Sequence, residues 1–106
     1  MNGKYIFTYD IGTSGCKAAI FDTELKLIAQ ISESYPIYYP KEGCAEQEAD
    51  DYWQSVKKTT KFLLQETGIK SEEILGIVYD SQANCTVAID NKGNPLMRCI
   101  NWLDVR

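Results

Sequence analysis

Asp10-Ile-Gly-Thr-Ser-Gly-Cys-Lys17 gathers a carboxylate, two hydroxyls, two glycines and an ammonium between apolar runs at 5–9 and 18–21. Gly12 and Gly15 let the backbone turn and come close to a ligand, while Thr13, Ser14 and Lys17 bring donors to the same place, as a phosphate cradle requires. Asp10, at the end of the first run, would face the phosphates as a second anion, an arrangement that makes sense only with a divalent cation between them. The turn therefore predicts Mg²⁺ together with a nucleotide. Read alone it also fits the polar turn of a β-hairpin, so the rest of the chain has to decide.

Three β-type segments, at 5–9, 16–22 and 25–35, predict an antiparallel meander around this turn. Leu25, Leu27, Ala29 and Ile31 alternate with Lys26, Gln30 and Ser32, apart from Ile28, so the third strand should be half-exposed on one face. Pro36 and Pro40 close that region, and 38–48 is turn-rich and polar. Asp50 and Asp51 suit the donor-rich start of a helix expected over 50–66. Trp53, Val56, Thr60, Leu63 and Leu64 fall near one face of it, with Lys57, Lys58, Lys61 and Gln65 mostly outside, which makes Trp53 a core residue. Gly68 should stop the helix, Ser71-Glu-Glu73 should begin a very short helical turn, and 75–79 reads as a buried strand. Asn91-Lys-Gly-Asn-Pro95 is a turn signal that should join 86–90 and 96–100 as a hairpin. The fold class is α/β (α+β): a mixed sheet in which a three-strand meander is followed by a helix and further strands.

A length of 106 residues supports one domain with one core. The hydrophobic share of 44% and charged share of 25% are those of an ordinary soluble globular chain. No apolar run is long enough to span a membrane, and Met1-Asn-Gly-Lys4 is not the start of a leader, so neither a signal peptide nor a membrane partner is expected. Cysteines at 16, 44, 85 and 99, without a C-x-x-C pair and without any His, suit free thiols in a reducing cytoplasm rather than zinc ligands or disulfides. With no His to activate them, Cys16 and Cys85 read as small hydrophobes rather than nucleophiles. A net charge of −4 with no Lys/Arg run argues against nucleic acid as a partner. A small ligand is expected instead.

Meander, helix and return strand resemble the opening of the ribonuclease-H-like fold shared by actin, Hsp70 and the sugar kinases, with the 10–17 turn in the place of the first phosphate motif. Three further stretches carry the resemblance, in order: Tyr38-Tyr-Pro-Lys-Glu-Gly-Cys-Ala-Glu-Gln-Glu48, Gly76-Ile-Val-Tyr-Asp-Ser-Gln82 and Asn94-Pro-Leu-Met-Arg-Cys-Ile-Asn-Trp-Leu-Asp-Val-Arg106. Together they resemble the N-terminal part of an FGGY-family carbohydrate kinase. The Asp-Ile-Gly-Thr-Ser-Gly-x-Lys form of the turn and Trp102-x-Asp104-x-Arg106 are nearest to its xylulokinase-like members. The resemblance implies ATP-dependent transfer of the γ-phosphoryl group to a hydroxyl of a ketose or polyol such as xylulose. It also implies that 1–106 is part of the first domain of a longer, two-lobed enzyme, with the general base downstream and the fragment inactive by itself.

The same resemblance implies roles for individual residues. Asp10 would hold Mg²⁺ through water, near the transferred phosphoryl group, and Gly12, Thr13, Ser14 and Lys17 would bind nucleotide phosphates. Gln82, Ala83 and Asn84 would contact the sugar, with Trp102 as an apolar wall and Asp104 as a hydroxyl acceptor. Xylulokinases usually carry Met-His, and glycerol kinases Arg-Glu, where this chain has Ala83-Asn84, so the acceptor stays open. Glu46, Gln47 and Glu48 would shape the loop entering the helix. A non-enzymatic nucleotide-binding module of the actin/Hsp70 type is the alternative, although a sugar wall would be idle there. A ribonuclease-H-like nuclease would need clustered acids and a basic surface. An open sheet edge in the fragment predicts self-association, with a homodimer as its simplest form.

Overall fold

Alternating apolar residues make strands of Tyr5–Ile11 (β1) and Gly15–Asp22 (β2) in the computed structural model, which describes residues 3–106. Met1 and Asn2, part of the stretch considered above as a leader, lie outside the described residues. β1 and β2 run antiparallel with Asp10 opposite Lys17, and β2 pairs in the same sense with Leu27–Ser34 (β3). A helix over Ala49–Thr67 (α1) and a 3₁₀ turn at Ser71–Glu73 then return the chain. Ile74–Ser81 (β5) comes back parallel to β1, so that Asp80 lies beside Asp10. The sheet order is β3-β2-β1-β5, the mixed sheet expected. Glu46–Gln47 (β4) and Cys99–Ile100 (β6) form a second, two-stranded antiparallel sheet.

The helix begins with Asp50 and Asp51 in its first turn, where carboxylates meet unpaired N–H groups, and ends at Gly68 with φ +70°. Its buried residues are Ser55, Thr59 and Leu63, one per turn. Thr59 turns its hydroxyl back onto the Ser55 carbonyl at 2.9 Å, which satisfies the group and lets the helix settle closely on β2 and β3. Phe7, Tyr9, Cys16, Ala18, Ile20, Tyr35 and Leu63 form the core beneath it.

Four expectations change. Trp53 is not a core residue: it is 57% exposed, with the Lys57 ammonium 5.9 Å from its ring centre. The small stripe at 55 and 59 takes the place against the sheet, so the neighbouring stripe of Trp53, Val56 and Leu64 overhangs a groove between α1 and β5. Residues 75–79 do form a strand, but not a buried one. Ile77, Val78 and Tyr79 are 63%, 59% and 74% exposed, because β5 is the sheet edge and no described residue pairs its outer side. β3 starts at Leu27 rather than 25, since Leu25 sits in a turn at φ +65° whose neighbours' N–H groups, at 24 and 26, bond the Asp22 carboxylate. The 91–95 turn forms around Asp90, which accepts from the N–H groups of Lys92 and Asn94. Its flanks touch only at Thr86–Ile100 and Ile89–Pro95, since Pro95 offers no N–H and Cys99–Ile100 is laddered to β4.

All four cysteines are free, as expected, with Cys16 and Cys99 buried. Among the described residues no helix is long and apolar enough to cross a membrane.

Candidate functional site

The turn at 12–14 closes with the Gly12 N–H on the Gly15 carbonyl at 2.9 Å. Neither glycine has a positive φ. At Gly15 a Cβ would lie 2.5 Å from the Glu33 carbonyl oxygen, so the passage of β3 by itself requires a small residue there. Each residue of the turn is then anchored from a distant part of the chain. The Tyr35 hydroxyl donates to the Gly12 carbonyl, and the Gln47 amide donates to the Thr13 carbonyl at 2.8 Å. The Trp102 indole N–H donates to the Thr13 hydroxyl oxygen at 2.7 Å, across 89 positions of sequence. The Gln82 N–H donates to the Ile11 carbonyl at 2.9 Å. Burial pushes the Tyr35 phenol up to about 12, so it stays a neutral donor.

Phe7 and Tyr9 are buried on the helix side of β1, so alternation sends Asp10 to the opposite, open face. There the strand register lines up Lys17, Asp10 and Asp80, and all three border one depression with Thr8 and Ala19. Asp10 and Lys17 also border a second depression with Gly12, Ser14 and Ser32. Asp80 is a residue that the motif reading missed. Only the parallel return of β5 puts it beside Asp10, and 70 positions of sequence hide that. Among the described residues, no three His, Cys, Asp or Glu side chains cluster closely enough to hold a metal by themselves. Asp10, with Asp80 nearby, fits a hard cation that keeps most of its waters, as Mg²⁺ does.

On the other side of the turn, Gln82 is drawn into a buried amide cluster. The Gln47 Oε1 accepts from the Tyr52 hydroxyl at 2.7 Å, the Gln82 amide at 3.0 Å and the Asn101 amide at 2.6 Å. Asn101 also donates to the Gln82 Oε1 at 3.1 Å. Gln47 and Asn101 are 0% and 2% exposed, and no buried side-chain polar atom of the described residues lacks a partner. Polar residues inside apolar surroundings were the available signal, at Asn101 after Cys99-Ile100 above all. Ala83 and Asn84 are exposed beside the cluster, and Asn84 takes φ +60°, a conformation that asparagine tolerates. Trp102 stands half-exposed.

The structure does not bring Asp104 to this group. Its side chain is 4% exposed and accepts from the Ala45 N–H at 2.8 Å and from the Arg106 guanidinium, which holds it well below the usual carboxylate range. Arg106 continues to Glu46 at 2.7 Å, and Arg98 joins Glu48 at 2.8 Å while stacking 3.9 Å above the Tyr38 ring. Asp104 thus ties the chain end to the second sheet.

Residues 5–106 match the model of the FGGY family of carbohydrate kinases, N-terminal domain. A glycerol kinase from Agrobacterium fabrum is 32% identical over 105 residues, 98% of this chain and 21% of that protein. One from Caldanaerobacter subterraneus subsp. tengcongensis is 35% identical over 100 residues, covering 93% and 20%. The chain thus spans about one fifth of the length of the curated relatives it matches. Among solved structures, the gluconate kinase from Lactobacillus acidophilus superposes with a TM-score of 0.87 at 29% identity, over 95% of this chain and 20% of that one. A xylulose kinase from Brucella ovis superposes with a TM-score of 0.91 at 24% identity, over 96% and 22%, which is a likeness of fold. That fold is ribonuclease-H-like.

Proposed function

Since the chain belongs to the FGGY family of carbohydrate kinases, as part of its N-terminal domain, we propose that the whole protein transfers the γ-phosphoryl group of ATP to a hydroxyl of a ketose or polyol. The observation that supports it is the turn: one side opens toward Asp10 and Lys17, and the other is bonded to Trp102 and backed by Gln82. Two reactants on the two sides of Thr13 would meet across it.

In this reading Gly12, Thr13, Ser14 and Lys17 receive the nucleotide phosphates. An indole N–H only donates, so the Thr13 oxygen must accept from Trp102, which leaves the Thr13 proton free for a phosphate oxygen. Asp10 would hold Mg²⁺, and the ion would supply neutralisation of charge on those oxygens. Gln82, Ala83, Asn84 and Trp102 border the acceptor; Asn84 and the Trp102 face would hold a ketose or polyol such as xylulose, while Ala83 offers its hydroxyls no partner and leaves the choice of acceptor open. Asp104 supports this wall from behind through Ala45 rather than reaching the sugar. The free thiols suit the cytoplasm, and the chain by itself should be inactive.

The test is ADP release by the full-length protein with Mg²⁺, ATP and a panel of glycerol, tetritols and pentuloses. Release that depends on both the metal and one of these acceptors is expected. Absence of acceptor-dependent release across the panel would overturn the reading.

A further inference from the structure

The amide cluster closes a ring. The Gln47 Nε2 donates to the Thr13 carbonyl, the Gln47 Oε1 accepts from Asn101, Asn101 is bonded covalently to Trp102, and the Trp102 Nε1 donates back to the Thr13 hydroxyl oxygen. Gln82 enters the same ring through both ends of its side chain, giving to Gln47 and accepting from Asn101. Tyr52 adds the helix to it. A fully buried side chain that donates at one end and accepts at the other is a demand an amide meets at this length, whereas an ionised carboxylate cannot donate and a hydroxyl cannot reach.

We propose that Gln47 is a positioning residue that holds the Thr13 turn in register with the Gln82–Trp102 side, so that the two reactants of the proposed kinase reaction are aligned. The inference rests on that reading for its catalytic consequence, and on the ring geometry for the coupling itself. The contribution is alignment rather than affinity, because Gln47 is sealed from any ligand and acts only through Thr13, Gln82 and Asn101. Displacing the Thr13 carbonyl moves the Thr13 hydroxyl and slackens the Trp102 contact together.

The experiment uses the full-length protein and Gln47→Glu. This change preserves size and the accepting end. When ionised, the introduced carboxylate has no donor for the Thr13 carbonyl and repels it; when protonated, its O–H restores the bond. Burial and the facing Thr13 carbonyl oppose ionisation of the introduced carboxyl while the Tyr52, Gln82 and Asn101 donors favour it, so the carboxylate form is the one populated on the alkaline side. The variant's kcat should drop about tenfold below wild type at alkaline pH and recover as pH falls, with KM for ATP and acceptor within about threefold. A general loss of structure would instead move kcat and KM together without that pH profile. Amide hydrogen exchange supplies the second readout: at matched alkaline pH, the 10–17 peptide should exchange faster in the variant while 5–9 stays protected.

Unchanged exchange at 10–17 overturns the coupling. Faster exchange with a wild-type kcat profile overturns its catalytic consequence. If the wild-type protein transfers phosphate to no acceptor, the kinase reading fails, and the exchange comparison still decides whether Gln47 holds the turn. Should Gln47→Glu fail to fold, Trp102→Phe opens the ring at its exposed junction and must show the same faster exchange at 10–17.

Discussion

At the residue scale, the side chains proposed to carry the chemistry face open space while their neighbours are pinned. Asp10 is exposed on the open face of the sheet, whereas the turn that follows it is bonded on several sides. In the full-length protein, Asp10→Asn should lower turnover by at least about 100-fold while changing acceptor affinity by less than about threefold, as steady-state kinetics and calorimetry would show. Near-wild-type turnover would remove the metal role from Asp10. Tyr35 offers a test of the anchoring itself. Its phenol rises from 10.0 in the free side chain to about 12 in the fold, so its contribution to stability is complete below pH 10 and is lost as pH climbs toward 12. Urea unfolding of the chain should show stability declining through that window, and Tyr35→Phe should flatten part of the decline. Asp10, the turn residues and Trp102 were legible as types in sequence. Gln47, Asn101 and Asp80 were not, because their importance is a matter of which distant group lies beside them.

At the scale of elements, the meander, the helix and the return strand were legible from period and punctuation, and the helix ends differ from expectation by a residue. Packing faces were less legible. The 3.6-residue pattern nominated Leu63, Val56 and Leu64, which do pack on the core, and Trp53, which does not: the small pair Ser55 and Thr59 permits a closer approach than an indole would. Gly15 illustrates the same competition between local and tertiary causes. Read locally it is a turn glycine, yet the atom that excludes a side chain there belongs to Glu33 on the next strand. Gly15→Ala should therefore destabilise the chain by about 1–3 kcal/mol in denaturant titration, since a backbone carbonyl cannot swing aside as a side chain would. A cost near zero would mean that β2 and β3 separate freely at that point.

At the scale of the molecule, the described residues leave β5 with an unpaired edge carrying Ile77, Val78 and Tyr79, next to the groove under Trp53. Unpaired N–H and C=O groups flanked by apolar side chains invite a second strand. The 106-residue chain in isolation should show concentration-dependent self-association in sedimentation, and Val78→Lys should suppress it; a monomer at all concentrations would contradict this. The sequence by itself determined the strand, turn and helix order, the free-thiol chemistry and the family, because local period, composition and linear motifs are properties of neighbours along the chain. Only the tertiary structure decided that Asp80 stands beside Asp10, that Asp104 is spent on Arg106 and Ala45, and that Gln47 joins Thr13 to Asn101. Apart from Arg106, two residues from Asp104, those are pairings across tens of residues, and their partners are selected by strand register and by the need of every buried polar group to find its complement.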